Sequence, residues 1–247
     1  MIFTDCVKTK LEYTVNENGN DGIPVIVVAA GNATRMQGID KQMLLLGGEP
    51  VLVKTLKAFQ KSPFVSKIIV VTKKESVLKI QNLCGEYLLN KVTDVAEGGT
   101  SRHESVLCGI ARLSKDEGKV LIHDGARPFV KQKMIEECVK SLEKYDGCLV
   151  ALKVSDTVKK ADANGLVEKT IDRNCLYLAQ TPQGVDVKMY LEASNKYAHT
   201  EFTDDASVLE RDGKNVVIID GDRTNIKITT REDIILANAI KSEDDTL

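Results

Sequence analysis

The sequence predicts an α/β fold with a doubly wound, mostly parallel sheet and one protruding β-hairpin arm. Two observations carry this. Apolar, β-branched runs alternate with segments of helical period from Pro24 onward, and the alternation breaks once, around Asn164-Gly165. Unbroken apolar runs suit strands covered on both faces, and alternation with helices implies right-handed crossovers in a parallel sheet.

The elements follow in order. Residues 1–22 end in the polar stretch VNENGNDG and read as an N-terminal extension. PVIVVAA (Pro24–Ala30) reads as a buried strand and VLVKTLKAFQKS as an amphipathic helix. KIIVVT (Lys67–Thr72) is the next strand, followed by a helix over about Glu75–Leu88 and a short strand near Val92–Val95. SVLCGIARL reads as a helix, Val120–Asp124 as a strand, MIEECVKSLEKY as a helix and Cys148–Val154 as a strand. The stretch from about 154 to 173 then shows two polar, alternating segments around Asn164-Gly165, a hairpin signal. It holds too few apolar residues for a core of its own, so it is expected to pack on something else, such as a second subunit. Helices are expected at about Val187–Tyr197 and Asp205–Arg211, a strand at VVIID, a short extended piece at NIKIT and a closing helix at REDIILANAIK. Residues 23–247 thus read as one domain carrying a hairpin arm.

Composition narrows the function. The 247 residues carry a formal net charge of -2, which argues against a broad nucleic-acid surface. Six scattered cysteines form no C-x-x-C pair, and three distant histidines give no zinc spacing, so reduced thiols and a cytoplasmic setting are expected. No apolar run approaches the ~20 residues of a membrane span, and the N-terminal residues have charges where a signal peptide needs its apolar centre.

In an open parallel sheet, ligands bind beyond the carboxyl ends of the strands. The loops expected there are AAGNATRM, GGTSRHES and HDGARP. Ala29, Ala30 and Gly31 have minimal side chains, which either admits a ligand to their backbone N–H groups or merely makes a tight strand exit. The loop lacks the G-x-G-x-x-G of a dinucleotide fold and the G-K-[ST] of a P-loop. It offers instead two cations, Arg35 and Lys41. Cations over an anionic ligand suit phosphoryl or nucleotidyl transfer; solvated surface residues are the plainer reading. GGTSRHES opens a helix, with Ser101 and Ser105 as candidate caps and free N–H groups at its start. Asp124 ends a buried strand, where a carboxylate needs a partner: a Mg²⁺ shared with substrate phosphates, or Arg127 as an ion pair. His123 reads as a hydrogen-bonding residue rather than a base. Arg173 ends the hairpin and could clamp a phosphate, Lys227 stands alone among apolar neighbours, and FTDDAS reads as a helix cap with an acidic first turn.

AAGNATRM with DKQ, GGTSRHES, HDGARP, VSDTVKK, IDRN with QTPQ, TDDAS and TNIKITT occur in the order seen in 2-C-methyl-D-erythritol 4-phosphate cytidylyltransferases. The resemblance covers roughly Pro24 to Ile240. It implies a Rossmann-like nucleotidyltransferase that moves CMP from CTP to 2-C-methyl-D-erythritol 4-phosphate with Mg²⁺, releasing pyrophosphate, in non-mevalonate isoprenoid biosynthesis. By that match Arg35 and Lys41 stabilise the transition state and Asp124 faces the metal. Ala29, Ala30, Gly31, Gly98, Gly99, Ser105 and Gly125 hold the nucleotide. Thr157, Arg173, Thr181 and Lys227 hold the acceptor phosphate, with Thr157 and Arg173 reaching across a homodimer. The sequence departs from the family's A-A-G-x-G-x-R-M loop by placing Ala33 at the second glycine, and the segment between Met36 and Lys41 is one residue shorter than in some relatives. The related alternative is a ribitol 5-phosphate cytidylyltransferase; a catalytically silent nucleotide-binding module is the alternative of another class.

Overall fold

A computed structural model describes residues 22–31 and 43–244. Arg35, Lys41, Ala33 and the expected extension over residues 1–21 lie outside the described residues. The first strand, β1 (Ile23–Val28), shows why the fold is doubly wound. Val25, Ile26 and Val27 are all 0% exposed. Val25 and Val27 belong to one apolar cluster with Phe59 and Ile135, whereas Ile26 belongs to a second with Val106 and Tyr190. Side chains alternate across a strand, so a run without polar residues has to be covered on both faces.

A two-strand ribbon, β2 (Leu45–Leu46) and β3 (Glu49–Pro50), precedes α1 (Val51–Gln60). Then come β4 (Val65–Thr72), a 3-10 turn at Lys74–Ser76, α2 (Val77–Glu86), β5 (Val92–Glu97), α3 (Arg102–Ile110) and β6 (Lys119–Asp124). They are followed by α4 (Gln132–Ser141), β7 (Gly147–Lys153), β8 (Val158–Ala161), β9 (Val167–Ile171) and β10 (Tyr177–Asp186). The chain continues through α5 (Val187–Lys196), α6 (Ala206–Arg211), β11 (Val216–Asp220) and α7 (Arg231–Asp244). The main sheet has the order β11-β7-β10-β6-β1-β4-β5. All its pairings are parallel except those of β10, which runs antiparallel to both neighbours. The connections from β1 lead to β4 on one side while β6 lies on the other. That reversal places the crevice between the carboxyl ends of β1 and β6.

The expected order of elements is present, with three differences. The helix expected over 75–88 is divided into the 3-10 turn and α2. The ribbon of β2 and β3 is an addition. The sheet also contains β10, which the sequence reading does not include, because Gln180, Thr181 and Gln183 interrupt the apolar pattern inside it. Each is buried and hydrogen bonded: Gln183 Oε1, for instance, accepts from the N–H groups of Asp205 and Ala206, both at 2.9 Å. Pro182 sits where the pairing of β10 with β7 slips between Ala179 and Gln183, so no ladder N–H is demanded of it.

The hairpin β8–β9 stands apart from this sheet as its own two-stranded ribbon. Asp162 Oδ1 accepts from the N–H groups of Asn164 and Leu166, and Gly165 takes a positive φ of 84° that its lack of a Cβ permits. Leu166 and Val167 are 68% and 63% exposed.

At the end of β6, His123 is fully buried. Its Nδ1 pairs with the Thr181 hydroxyl at 3.0 Å, its Nε2 with the Arg127 carbonyl at 3.1 Å, and its ring packs edge-on against Phe59 with centroids 4.8 Å apart. Burial pushes its pKa down from 6.5 to about 4, so the ring is neutral at pH 7 and joins two strands rather than moving protons. The unfolded chain binds a proton between those values and the folded chain does not. Stability therefore rises with pH across that window and falls as the solution is acidified through it, by about 3 kcal/mol at ~1.4 kcal/mol per unit. Denaturant unfolding from pH 4 to 7 checks this, with His123→Gln expected to flatten the slope. Burial also lowers the pKa of His103 and adds a slope of the same sign, so the difference between the two proteins is the diagnostic quantity. Parallel profiles would remove His123 from the account.

Candidate active site

A cleft of about 290 Å³ opens at the reversal point of the sheet. Val28, Ala30 and Gly31 at the exit of β1 line one side, and Gly99, Thr100, Ser101, Arg102 and Ser105 at the start of α3 line the next. Asp124 and Ala126 after β6, with Lys227 before α7, complete it.

The glycines and alanines work through fit. A Cβ on Gly98 would meet Ser105 Oγ at 2.7 Å and Ala30 Cβ at 2.8 Å, and one on Gly99 would meet Glu104 Cβ at 2.3 Å. The pair lets the loop lie flat between β1 and α3. Several backbone donors are already committed. The N–H of Ala29 goes to Val71 O at 2.6 Å, that of Gly98 to Thr72 O at 2.8 Å and that of Gly125 to Val28 O at 2.9 Å. These three N–H groups are spent within the fold, and none of the three residues is among those lining the cleft. Ala30, Gly31, Gly99 and Ser105 do line it.

The start of α3 is fixed by a reciprocal cap. Ser101 Oγ accepts the Glu104 N–H at 3.1 Å, and Glu104 Oε2 accepts both the N–H and the hydroxyl of Thr100 at 2.7 and 2.6 Å. Ser105 is no cap: its hydroxyl donates to the Ser101 carbonyl at 2.8 Å. The helix start thus faces the cleft with a positive dipole end.

Asp124 is the electrostatic centre. Its Oδ1 lies 3.2 Å from Arg102 Nε, and its Oδ2 lies 2.8 Å from Lys227 Nζ and 3.6 Å from Arg127 Nε. Burial would raise its pKa, but Arg102, Lys227 and Arg127 outweigh it and hold the carboxyl well below the usual carboxylate range. The ion pair with Arg127 that the sequence suggests is therefore present, within a larger cluster. Burial lowers the pKa of Arg127 itself, and its Nη1 donates to the Asn225 carbonyl at 2.8 Å. Lys227 reaches Asp124 because Ile226 and Ile228 pack into a satellite cluster with Leu46, Val51 and Ala237, which turns the residue between them to the opposite side.

Thr181 lies behind the cleft. It is 3% exposed, and its hydroxyl joins the Asp124 N–H at 3.1 Å to His123. It supports the carboxylate from behind and does not line the cleft. Thr157 and Arg173 are exposed on the hairpin, where Arg173 Nη1 donates to the Ser155 carbonyl, and they do not line the cleft of their own chain.

Four residues that the sequence reading gave no role, or only a capping one, help to build the site. Arg102 lines the cleft and joins Asp124 to Asp205. Asp205, read from the sequence as part of a cap, makes no side-chain cap bond; Asp204 Oδ1 instead accepts the Ser207 N–H at 3.0 Å. Gln183 holds the backbone of Asp205, and Asn225 Nδ2 donates to the Thr181 carbonyl at 2.9 Å. A charged residue inside a quoted motif was the available signal for Arg102 and Asp205; nothing local marks Gln183 or Asn225. Among the described residues there is no group of three or more His, Cys, Asp or Glu side chains able to hold a metal by themselves, and no helix long and apolar enough to cross a membrane.

Comparison with known proteins agrees with this geometry. Residues 23–243 match the family described as 2-C-methyl-D-erythritol 4-phosphate cytidylyltransferase. A relative of that name from Geobacillus kaustophilus (strain HTA426) is 44% identical over 219 residues, covering 87% of this chain and 95% of that one. One from Clostridium novyi (strain NT) is 40% identical, covering 87% and 94%. The fold also superimposes on the crystal structure of 4-diphosphocytidyl-2C-methyl-D-erythritol synthase from Anaerococcus prevotii DSM 20548, with a TM-score of 0.80, 32% identity and coverage of 90% and 97%. The chain therefore belongs to the 2-C-methyl-D-erythritol 4-phosphate cytidylyltransferase family.

Proposed function

We propose that this chain transfers CMP from CTP to 2-C-methyl-D-erythritol 4-phosphate, releasing pyrophosphate and forming 4-diphosphocytidyl-2-C-methyl-D-erythritol. The observation that carries the site assignment is the cation-ringed carboxylate of Asp124, set in a cleft walled by small residues at the reversal point of the sheet. The acceptor phosphate is largely ionised near pH 7, its second pKa being about 6. An acceptor oxygen attacks the α-phosphorus of CTP, a new P–O bond forms, and the bond to the β-phosphate oxygen breaks. No general base is required, consistent with the neutral, buried His123. Catalysis then rests on positioning and on charge stabilisation. Arg35 and Lys41 are assigned to the transition state, and Lys227 to the acceptor phosphate. Ala30, Gly31, Gly99 and Ser105 are assigned to the nucleotide.

Nucleotidyl transfer in this family generally uses a divalent metal, and we assign Mg²⁺. The donor set fits: one carboxylate, Asp124, faces the cleft, and Mg²⁺ commonly takes one or two carboxylates with the remaining oxygens from substrate phosphates and water. When bound, it would offset the charge of the triphosphate.

Residues 23–247 are assigned as one nucleotidyltransferase domain whose arm, at about 154–173, pairs two chains. Thr157 and Arg173 lie exposed on that arm and apart from the cleft of their own chain, and Leu166 and Val167 at its tip are uncovered. A homodimer in which each arm serves the partner's cleft accounts for both.

Pyrophosphate release from CTP and Mg²⁺ is expected with 2-C-methyl-D-erythritol 4-phosphate and not with ribitol 5-phosphate; the reverse result would move the protein to the other polyol. Lys41→Ala should lower kcat while CTP binding stays near that of the unaltered chain, since its charge matters most in the transition state. Arg173→Ala should raise KM for the acceptor and leave CTP affinity unchanged. Mixed after subunit exchange and assayed at low acceptor concentration, these two impaired variants should regain part of the lost activity through hybrid dimers. A mixture that exchanges subunits and stays silent would place both residues in the same site.

A further inference from the structure

Asp205 presents an unexplained charge. It is 1% exposed, it leaves the capping of α6 to Asp204, and burying a carboxylate without use is costly. Its whole environment is arranged to hold it. Gln183 Oε1 accepts its N–H at 2.9 Å. The Tyr190 hydroxyl donates to its Oδ1 at 3.2 Å, and His103 Nδ1 contacts that hydroxyl at 3.0 Å. The remaining oxygen, Oδ2, receives Arg102 Nη2 at 2.7 Å.

Arg102 is the outlet of this arrangement. It is the first residue of α3, lines the cleft, and keeps 27% of its side chain exposed. Nη2 is committed to Asp205 and Nε to Asp124, so two sides of the planar guanidinium are fixed, and among the described residues no hydrogen bond engages Nη1 of this cleft-lining residue. Neutralising Asp124 would not require it, because Lys227 at 2.8 Å and Arg127 at 3.6 Å already face that carboxylate. Three cations (Arg102, Arg127, Lys227) against two carboxylates (Asp124, Asp205) leave one positive charge in the cleft wall.

We propose that Arg102 binds a phosphate of the nucleotide in this cleft and that Asp205 is the positioning residue that fixes its guanidinium there. The ligand class is a polyphosphate, bound by one nitrogen of a fixed guanidinium rather than by a mobile ammonium. The assignment rests on the cytidylyl-transfer reading only for which polyphosphate is used.

Three variants test it: Arg102→Ala, Asp205→Asn and the double variant. Arg102→Ala is expected to lose on the order of 100-fold in kcat/KM for CTP, as when one preorganised donor is removed from a charged transition state. Asp205→Asn is expected to lose less, and the double variant no more than Arg102→Ala alone, because Asp205 acts through Arg102. Guanidinium ion at non-denaturing concentration should restore part of the activity of Arg102→Ala and little of the double variant's, since Asp205 is what holds the ion. A purely structural residue would not be rescued this way. Singles whose losses multiply, or an Arg102→Ala variant that guanidinium leaves unchanged, would overturn the proposal. Calorimetric binding of inorganic pyrophosphate needs no turnover and no Asp205 variant that folds. Weaker binding to Arg102→Ala than to the unaltered chain supports the proposal even if CTP proves to be the wrong nucleotide, and equal binding overturns it. Failure of the unaltered chain to turn over CTP would, by contrast, count against the reaction and not against this phosphate site.

Discussion

The buried negative charge of Asp124 is the constraint around which the cleft is built. A carboxylate at the end of a strand covered on both faces is tolerated only with close partners. Here the partners come from three separate pieces of chain: Arg102 from the start of α3, Arg127 from the turn after β6, and Lys227 from the segment before α7. One buried side chain thus brings those three pieces together. The same requirement gathers cations at the crevice of the sheet, where a polyphosphate needs them.

Convergence also needs a frame, and β10 supplies it. This reversed strand lies between β6 and β7 and carries buried amides and a hydroxyl instead of an apolar run. Thr181 ties it to His123 and to the Asp124 backbone, Gln183 to the start of α6, and Gln180 to Asp222 through its amide. Asn225 returns a bond from the Lys227 segment to Thr181 O. Apart from Asn225 Oδ1, which has no hydrogen-bond partner among the described residues, these buried amides and hydroxyl are bonded, and such networks admit few alternative arrangements. The strand therefore holds the acidic centre and the Lys227 segment in one fixed relation.

This explains what the sequence could and could not disclose. β1, β4, β6 and β7 were legible because two-sided burial leaves an unbroken apolar run. The hairpin was legible because Asn164-Gly165 states the local turn chemistry. β10 was not, since its burial is satisfied by hydrogen bonds with distant residues, and YLAQTPQG has neither strand nor helix period. The site divides the same way. Asp124 and Lys227 stand out as charges among apolar neighbours. The small residues were visible as well, but not their purpose: the N–H groups of Ala29, Gly98 and Gly125 are spent within the sheet and its loops, so their size serves close approach. Arg102 and Asp205, 103 positions apart in the chain, became a pair only when α3 and α6 met.

A consequence for the chemistry follows from how the cations are held. Arg102, Arg127 and Lys227 all sit within 4.0 Å of one carboxylate, and like charges gathered so closely would repel without it. Each has a second anchor or packing constraint: Arg102 on Asp205, Arg127 on the Asn225 carbonyl, and Lys227 between the packed side chains of Ile226 and Ile228. On the proposed reading, phosphate oxygens entering the cleft would meet cations already held by those anchors. Little reorganisation is then needed as charge develops at the reacting phosphorus, and the electrostatic work has been done during folding. Asp124 is thus the group that keeps these cations in place. One buried charge thereby links the stability of the crevice to its chemistry.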